Sequence, residues 1–344
     1  MISLREFLGA GAVCRLMAAT TVGTALMVGS AAAQDAVTLR VASFIPAQGF
    51  LNVAVVQPYL EKVEAASNGT LKFDFFPGGT LGRAPAQQLS LVQSGTTDMA
   101  VVMPAYTPGA FEDYNVTQLP NTAPTTAAAS VGAWEAFDKG LLPQPEGVKV
   151  LGIVTTANNV LHTQPPVAQL SDMAGLKIRA AGSIQSAAVA ALGGSVIGNI
   201  AGPEIAEGMS RNLLDGTLMD WIGIREFRVD RLAENHLEID FGRLVLMLAI
   251  NQASFDKLPQ AAKDALTSNG GRVYAEAGGK AFDDAVDTYR SEYVAQGHKA
   301  VSLSEDETKQ VDAALAKVVD DWVAETDGRE ALLEVYRAGV QSAE

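Results

Sequence analysis

Val37, Leu39 and Val41 are spaced by two at the start of the ordered pattern, the period of a strand over residues 37–44. Val53, Val56, Leu60 and Val63 then recur at helical spacing, and Asn68-Gly69 closes that helix. A strand at 71–76, a glycine-rich loop at 77–82, a helix at 84–94 and a strand at 98–103 follow. This β-α-β-α-β order is that of a parallel sheet. Residues 106–125, rich in Pro, Asn and Thr, read as surface connection, 131–142 as helix and 148–154 as an apolar strand.

From Met173 the motif starts again. Strands are predicted at 176–180, 195–199 and 217–221, and helices at 183–192 and 203–213, the latter with Pro203 in its first turn. The repetition predicts two similar α/β domains rather than one large sheet. The strongly apolar segment 243–251 follows a completed second unit and is assigned to the first sheet. Residues 258–296 read as one long helical segment, bent near Gly270-Gly271. At about 1.5 Å per residue it exceeds one small domain, so it is expected to lie across both. A strand at 299–303, the capping box Ser304-x-x-Glu307, a helix to about 325 and a last helix after Gly328 end the chain. The expected division is 37–155 plus 243–251 for the first domain, and 156–242 plus most of 286–344 for the second.

One stretch carries chemistry. Gly175-Leu176-Lys177-Ile178-Arg179 reads as a short strand delivering an arginine to its carboxyl end. Ala180-Ala181-Gly182 then loosens the chain, and Ser183 can cap the next helix. Strand end, glycine loop and helix N-terminus together form an anion site, and the arginine fork fits a carboxylate in two parallel bonds. A structural salt bridge is the competing role for Arg179.

Composition narrows the choice. A chain of 344 residues, 48% apolar, is long enough for two cores. Its formal charge of −14 argues against nucleic acid and anionic membrane surfaces, but not against a small anion bound at one buried arginine. Arg5 and Arg15, the apolar run 16–28 and Ala31-Ala32-Ala33 read as a signal peptide, 1–33, cleaved after Ala33. Cys14, the only cysteine, would leave with it, so no disulfide or thiolate site is expected. His162, His236 and His298 show no metal spacing, and no G-x-S-x-G, G-x-G-x-x-G or phosphate-loop lysine is present. No cofactor and no metal are expected. Asp215, before Gly216, reads as the closing residue of a turn.

Taken together, Leu176-Lys-Ile-Arg179 after Leu170-Ser-Asp, Pro203-Glu204-Ile205, Leu214-Asp215-Gly216 and Gly95-Thr-Thr-Asp98-Met99 resemble the DctP-type periplasmic substrate-binding proteins of TRAP (tripartite ATP-independent periplasmic) transporters. The resemblance covers nearly the whole chain after residue 33. It implies an α/β, two-domain periplasmic binding protein fold, with a ligand cleft between domains and a long C-terminal helix spanning both. It also implies that Arg179 holds a ligand carboxylate. Asn212 stands where the family usually has glycine. Two polar positions common in relatives are absent, at 156–159 and 217–219, which points to one carboxylate on a less polar body. Asn158 or Asn159 would then add amide bonds, and Trp221 would either line the site or pack in the core. Phe44, Phe50 and Tyr106 are candidates for the opposite wall. The implied function is a monomeric periplasmic receptor that binds a small organic anion and delivers it to membrane permease subunits driven by an ion gradient. The alternative is a secreted α/β enzyme acting on a small carboxylate.

Overall fold

The computed structural model describes residues 36–107 and 109–343; the expected signal peptide and Cys14 lie outside the described residues. Its strands are β1 (Val37–Ala42), β2 (Leu71–Phe76), β3 (Met99–Val102), β4 (Val148–Thr155), β5 (Val160–Thr163), β6 (Lys177–Arg179), β7 (Ser195–Ile197), β8 (Gly216–Met219), β9 (Asn235–Leu237), β10 (Val245–Asn251) and β11 (Lys299–Val301). They form two sheets, ordered β2-β1-β3-β10-β4 and β11-β9-β5-β8-β6-β7.

In the first sheet β1 is parallel to β2 and β3, while β10 runs antiparallel to β3 and β4. All seven residues of β10 are buried. Val245, Met247 and Ala249 enter the core on one face, and Leu246, Leu248 and Ile250 the core on the other. A strand covered on both faces must be continuously apolar, which is why this segment shows no alternation. In the second sheet β6 is parallel to β7 and β8, and β5 is antiparallel to β8 and β9. The two-residue periodicity did not reveal β5 or β9. They are four and three residues long, and polar His162, Thr163, Asn235 and His236 occupy most of them.

The chain passes between the sheets twice in extended form, after β4 and again between β9 and β10. These two passages bond to each other: the Thr156 N–H donates to Leu244 O (2.8 Å), Asn159 N–H to Gly242 O (2.9 Å) and Phe241 N–H to Asn159 O (3.0 Å). Two helices tie the same halves. The long segment breaks where expected, into Gln260–Ser268 and Gly271–Ala295. In the second of these, Tyr274 and Phe282 pack in a core of the first sheet and Tyr293 in a core of the second. Helix Glu305–Glu325 opens with the capping box at Ser304 and Glu307, and likewise sends Val311 and Leu315 to the second sheet and Val318 and Trp322 to the first. The expectation that most of 286–344 belongs with the second sheet does not hold for helix Arg329–Gln341. Its Leu332, Leu333, Tyr336 and Val340 are buried in a core of the first sheet.

Gly242 sits at the passage with φ +70°, and a Cβ there would come within 2.2 Å of the Gln118 backbone. Gly242→Ala therefore combines a left-handed backbone with overpacking. It should lower unfolding free energy by about 2–4 kcal/mol, read as an earlier urea midpoint at unchanged slope. An unchanged midpoint would mean that the crossing can shift away from Gln118.

Candidate functional site

Arg179 ends β6, which lies between β7 and β8, with Arg179 opposite Ile197 and Thr217. Asp215 anchors that strand, since its Oδ2 accepts the Lys177 N–H at 2.8 Å. The turn before β8 needs Asn212 at φ +56°, a left-handed position that asparagine tolerates where glycine is more usual. Arg179 is 1% exposed. Nε donates to Ile200 O (2.8 Å), Nη1 to Leu218 O (3.4 Å) and Nη2 to Tyr106 Oη (3.4 Å). A guanidinium has five N–H donors, so two remain. Among the described residues no carboxylate lies within 4.0 Å of it. Arg179 is thus not half of a structural salt bridge.

Tyr106 comes from the other sheet, on the Pro104–Tyr106 turn after β3. Its hydroxyl also accepts the Gly202 N–H at 3.0 Å, so one side chain joins β3 to two loops of the second sheet. Both Arg179 and Tyr106 line one small pocket. Ile45, Leu51, Met103, Leu246 and Phe282 supply walls from the first-sheet side; Met219, Ile222 and Phe227 supply them from the second. Asn159 reaches this pocket too, its Nδ2 held by Thr156 Oγ1 (3.1 Å) and Gly242 O (3.2 Å).

The other candidates fall elsewhere. Phe44 is buried behind the wall, edge-on to Tyr106 at 6.0 Å, and Phe50 packs on Phe282 at 4.9 Å. Asn158 lines a separate hollow with Asp240, Arg243 and Arg337. Trp221 is not in the pocket wall but in a core cluster with His162 (5.2 Å), His236 (4.5 Å) and Tyr293 (6.0 Å). Just beyond β8, Asp220 and Ile222 line the pocket while Trp221 packs in the core. The helix N-terminus also departs from expectation. Gly182, not Ser183, is the cap residue, and Ser183 Oγ bonds to Asn115 and Glu112 instead. That turn borders a different hollow from the one Arg179 lines.

All three histidines join that core cluster. His162 Nε2 meets Met219 O (2.9 Å), His162 Nδ1 meets His236 Nδ1 (2.7 Å), and His236 Nε2 meets His298 Nδ1 (3.0 Å). A carbonyl only accepts, so His162 Nε2 carries a proton. With every ring neutral, His236 Nδ1 then donates to His162, and His298 Nδ1 to His236. Burial, ahead of the neighbouring rings, pushes His162 down to about 4 and His236 down as well.

Two pocket residues carried no motif in the sequence, Asp220 and Glu226. Asp220 follows β8, and its Oδ1 accepts the N–H groups of Ile222 and Gly223 at 2.9 Å each. Its position beyond the carboxyl end of a buried strand was the one available signal. Glu226 ends the short helix Gly223–Glu226 and faces the Phe50 and Leu51 N–H groups, which open a helix and lack partners within it. Burial raises Asp220 to about 6, against the pull of its backbone donors. Burial first, and then the Asp220 charge, raises Glu226 to about 8.

The sign of the linkage follows. A carboxyl raised in the folded state holds a proton that the unfolded chain has released, so stability falls as pH climbs from the unfolded value through the folded one. Replacing Glu226 removes that loss. Glu226→Gln should melt close to the wild type near pH 4, and increasingly above it as pH rises to about 8. Thermal unfolding of both proteins across that range measures the difference, and a constant offset would show that Glu226 titrates normally.

Comparison with known proteins bears on this geometry. A solute-binding protein of Albidiferax ferrireducens is 26% identical over 294 residues, covering 83% of this chain and 86% of that protein. A TRAP solute-binding protein of Bordetella bronchiseptica, solved with (R)- and (S)-mandelate, shares 25% identity at a TM-score of 0.81, over 90% of this chain and 100% of that one. A marine-metagenome TRAP solute-binding protein specific for aromatic acid ligands, solved with 3-hydroxybenzoate, shares the fold at a TM-score of 0.83 and 24% identity, again over 90% and 100%. The model of the DctP family matches residues 43–326, most of the chain, and this protein belongs to that family, the bacterial extracellular solute-binding proteins, family 7.

Proposed function

We propose that this protein is the periplasmic receptor of a TRAP transporter, and that it binds a monocarboxylate with an apolar, ring-sized body through Arg179 before handing it to the membrane permease. One observation carries the reading: a buried arginine whose partners among the described residues are all neutral oxygens, in the wall of a pocket between two sheets. Burying a charge without a counter-ion costs several kcal/mol, so the site favours an arriving anion. The aromatic and aliphatic walls suit an apolar body, and the solutes bound by relatives, mandelate and 3-hydroxybenzoate, have that form. Asn159 stands near enough to add an amide contact; Asn158, Trp221 and Phe44 do not touch the solute in this reading.

Closure bends at the paired passages 156–159 and 241–244. The bodies that move are 37–155 with 243–251 and the last helix, against the residues around the second sheet, while the helices shared by both limit the bend. The solute favours the closed form because only there do Tyr106 and Arg179 meet it together. The receptor returns its solute unchanged, works as a monomer, and reaches the periplasm by cleavage of residues 1–33.

Arg179→Lys keeps the charge and loses the planar fork. Its Kd for benzoate should rise about 10- to 150-fold, equivalent to about 1.5–3 kcal/mol, and Arg179→Ala should be weaker still. Tyr106→Phe removes one hydroxyl contact and should cost about 1 kcal/mol, or about fivefold. Isothermal titration with benzoate reads all three. Benzoate bound by Arg179→Lys as tightly as by the parent would end the reading.

A further inference from the structure

The crossing between the sheets separates two hollows. Asn159 and Leu244 line the pocket of Arg179. Their chain neighbours Asn158 and Arg243 line another, with Asp240, the loop at Asn121 and Arg337 of the last helix. Arg243 is 5% exposed, yet none of its five N–H groups makes a hydrogen bond among the described residues. Its Nε is sealed from solvent, while Nη1 and Nη2 are not and open to the hollow. Among the described residues no carboxylate lies within 4.0 Å of Arg243 or of Arg337. Asp240, the acid in that wall, gives its Oδ1 to the Gly242 N–H at 2.7 Å. Its charge offsets one arginine and leaves the hollow net positive. In a chain with 39 Asp and Glu against 25 Lys and Arg, two arginines that meet without an acid partner depart from the general balance.

We propose that this hollow binds a small inorganic oxyanion, of the phosphate or sulfate type, between the Nη groups of Arg243 and the guanidinium of Arg337. Guanidinium forks match an oxyanion in paired, charge-assisted bonds, and a buried guanidinium left without any partner costs several kcal/mol. Both arginines are held in place before an ion arrives. The Arg243 N–H donates to Thr117 O (2.9 Å) and its carbonyl accepts from Thr117 Oγ1 (2.8 Å). Arg337 follows Tyr336, which is buried in a core of the first sheet. Asn121, Thr122, Asn158 and Gln341 make the rest of the wall mainly polar. It lacks the aliphatic and aromatic surface that surrounds Arg179, so it suits a compact hydrated ion rather than an organic acid. Bound there, the ion ties the crossing to the last helix and stabilises the fold by mass action without touching the solute. No residue of the Arg179 pocket takes part, so the inference stands apart from the receptor reading.

The test follows thermal unfolding of the wild type, Arg179→Lys, Arg243→Met and Arg337→Met against rising sodium phosphate or sodium sulfate, with sodium chloride holding the ionic strength constant. In the wild type and in Arg179→Lys at least one oxyanion should raise the melting temperature along a saturable curve. Arg243→Met should weaken its apparent Kd about tenfold or more, and Arg337→Met, at an exposed and better screened position, about three- to tenfold. No rise above the chloride control would mean that water alone fills the hollow, and overturns the inference. So does a rise that either Met variant keeps in full, which places the ion elsewhere, or one lost in Arg179→Lys, which places it in the solute pocket. Should Arg243→Met not fold, Arg337→Met decides. Benzoate titration tests the receptor reading by itself, so either reading can fail while the other stands.

Discussion

A buried guanidinium with no counter-ion among the described residues is the constraint on which the rest of this structure depends. Taking such a charge out of water is tolerable only if most of its donors find oxygen. Here the oxygens are neutral and come from three places: the Ile200 loop, β8 and Tyr106 of the opposite sheet. The Asp215 contact that anchors β6, the left-handed turn at Asn212 and the β6–β8 register all serve to hold that one side chain. What remains unfilled are two N–H donors and one positive charge, at the place where the two sheets face each other.

The connections between the sheets explain how such a site forms. The paired extended passages are buried and bonded to each other through backbone, with Thr156 Oγ1 accepting the Leu244 N–H and Asn159 Nδ2 donating to Gly242 O. The two long helices add apolar anchors in cores of both sheets, Tyr274 with Tyr293 and Leu315 with Trp322. Gly242 belongs to the same device: only a residue lacking Cβ lets the returning passage lie against Gln118.

The second sheet's interior carries buried carboxyls toward the pocket and aromatic rings on the other side. Toward the pocket, β8 and its following turn present Asp220 with backbone donors to steady it and Glu226 close by. Away from the pocket, the same segment presents Trp221 to His162 and His236, which burial keeps neutral and which bond to each other. Such a ring cluster keeps stability that is present above the ordinary histidine range and is lost as pH falls below it, the opposite sign to the carboxyls.

Much was legible in the chain itself, for a physical reason in each case. Periodicity located β1, β2 and the long helices because a repeated burial pattern survives translation into sequence. The continuous apolarity of β10 announced a strand covered on both faces, and the break at Gly270-Gly271 announced the end of a helix. Arg179 could be singled out because strand, charge and loop are adjacent residues. Tyr106 and Asn159, each near a strand end, line the same pocket as Arg179. What lay beyond local pattern was direction. Trp221 and Asp220 are neighbours on opposite sides of one backbone, and nothing in their order says which side the cleft occupies. Asn158 and Asn159 divide in the same way. Glu226 reaches the pocket only because a helix of the other sheet brings its free N–H groups there, and β5 and β9 become strands through partners far away in sequence. The sequence alone determined the elements, the repeated α/β plan and the arginine; the tertiary structure decided which faces meet, because facing is a property of the pair of surfaces and not of either one.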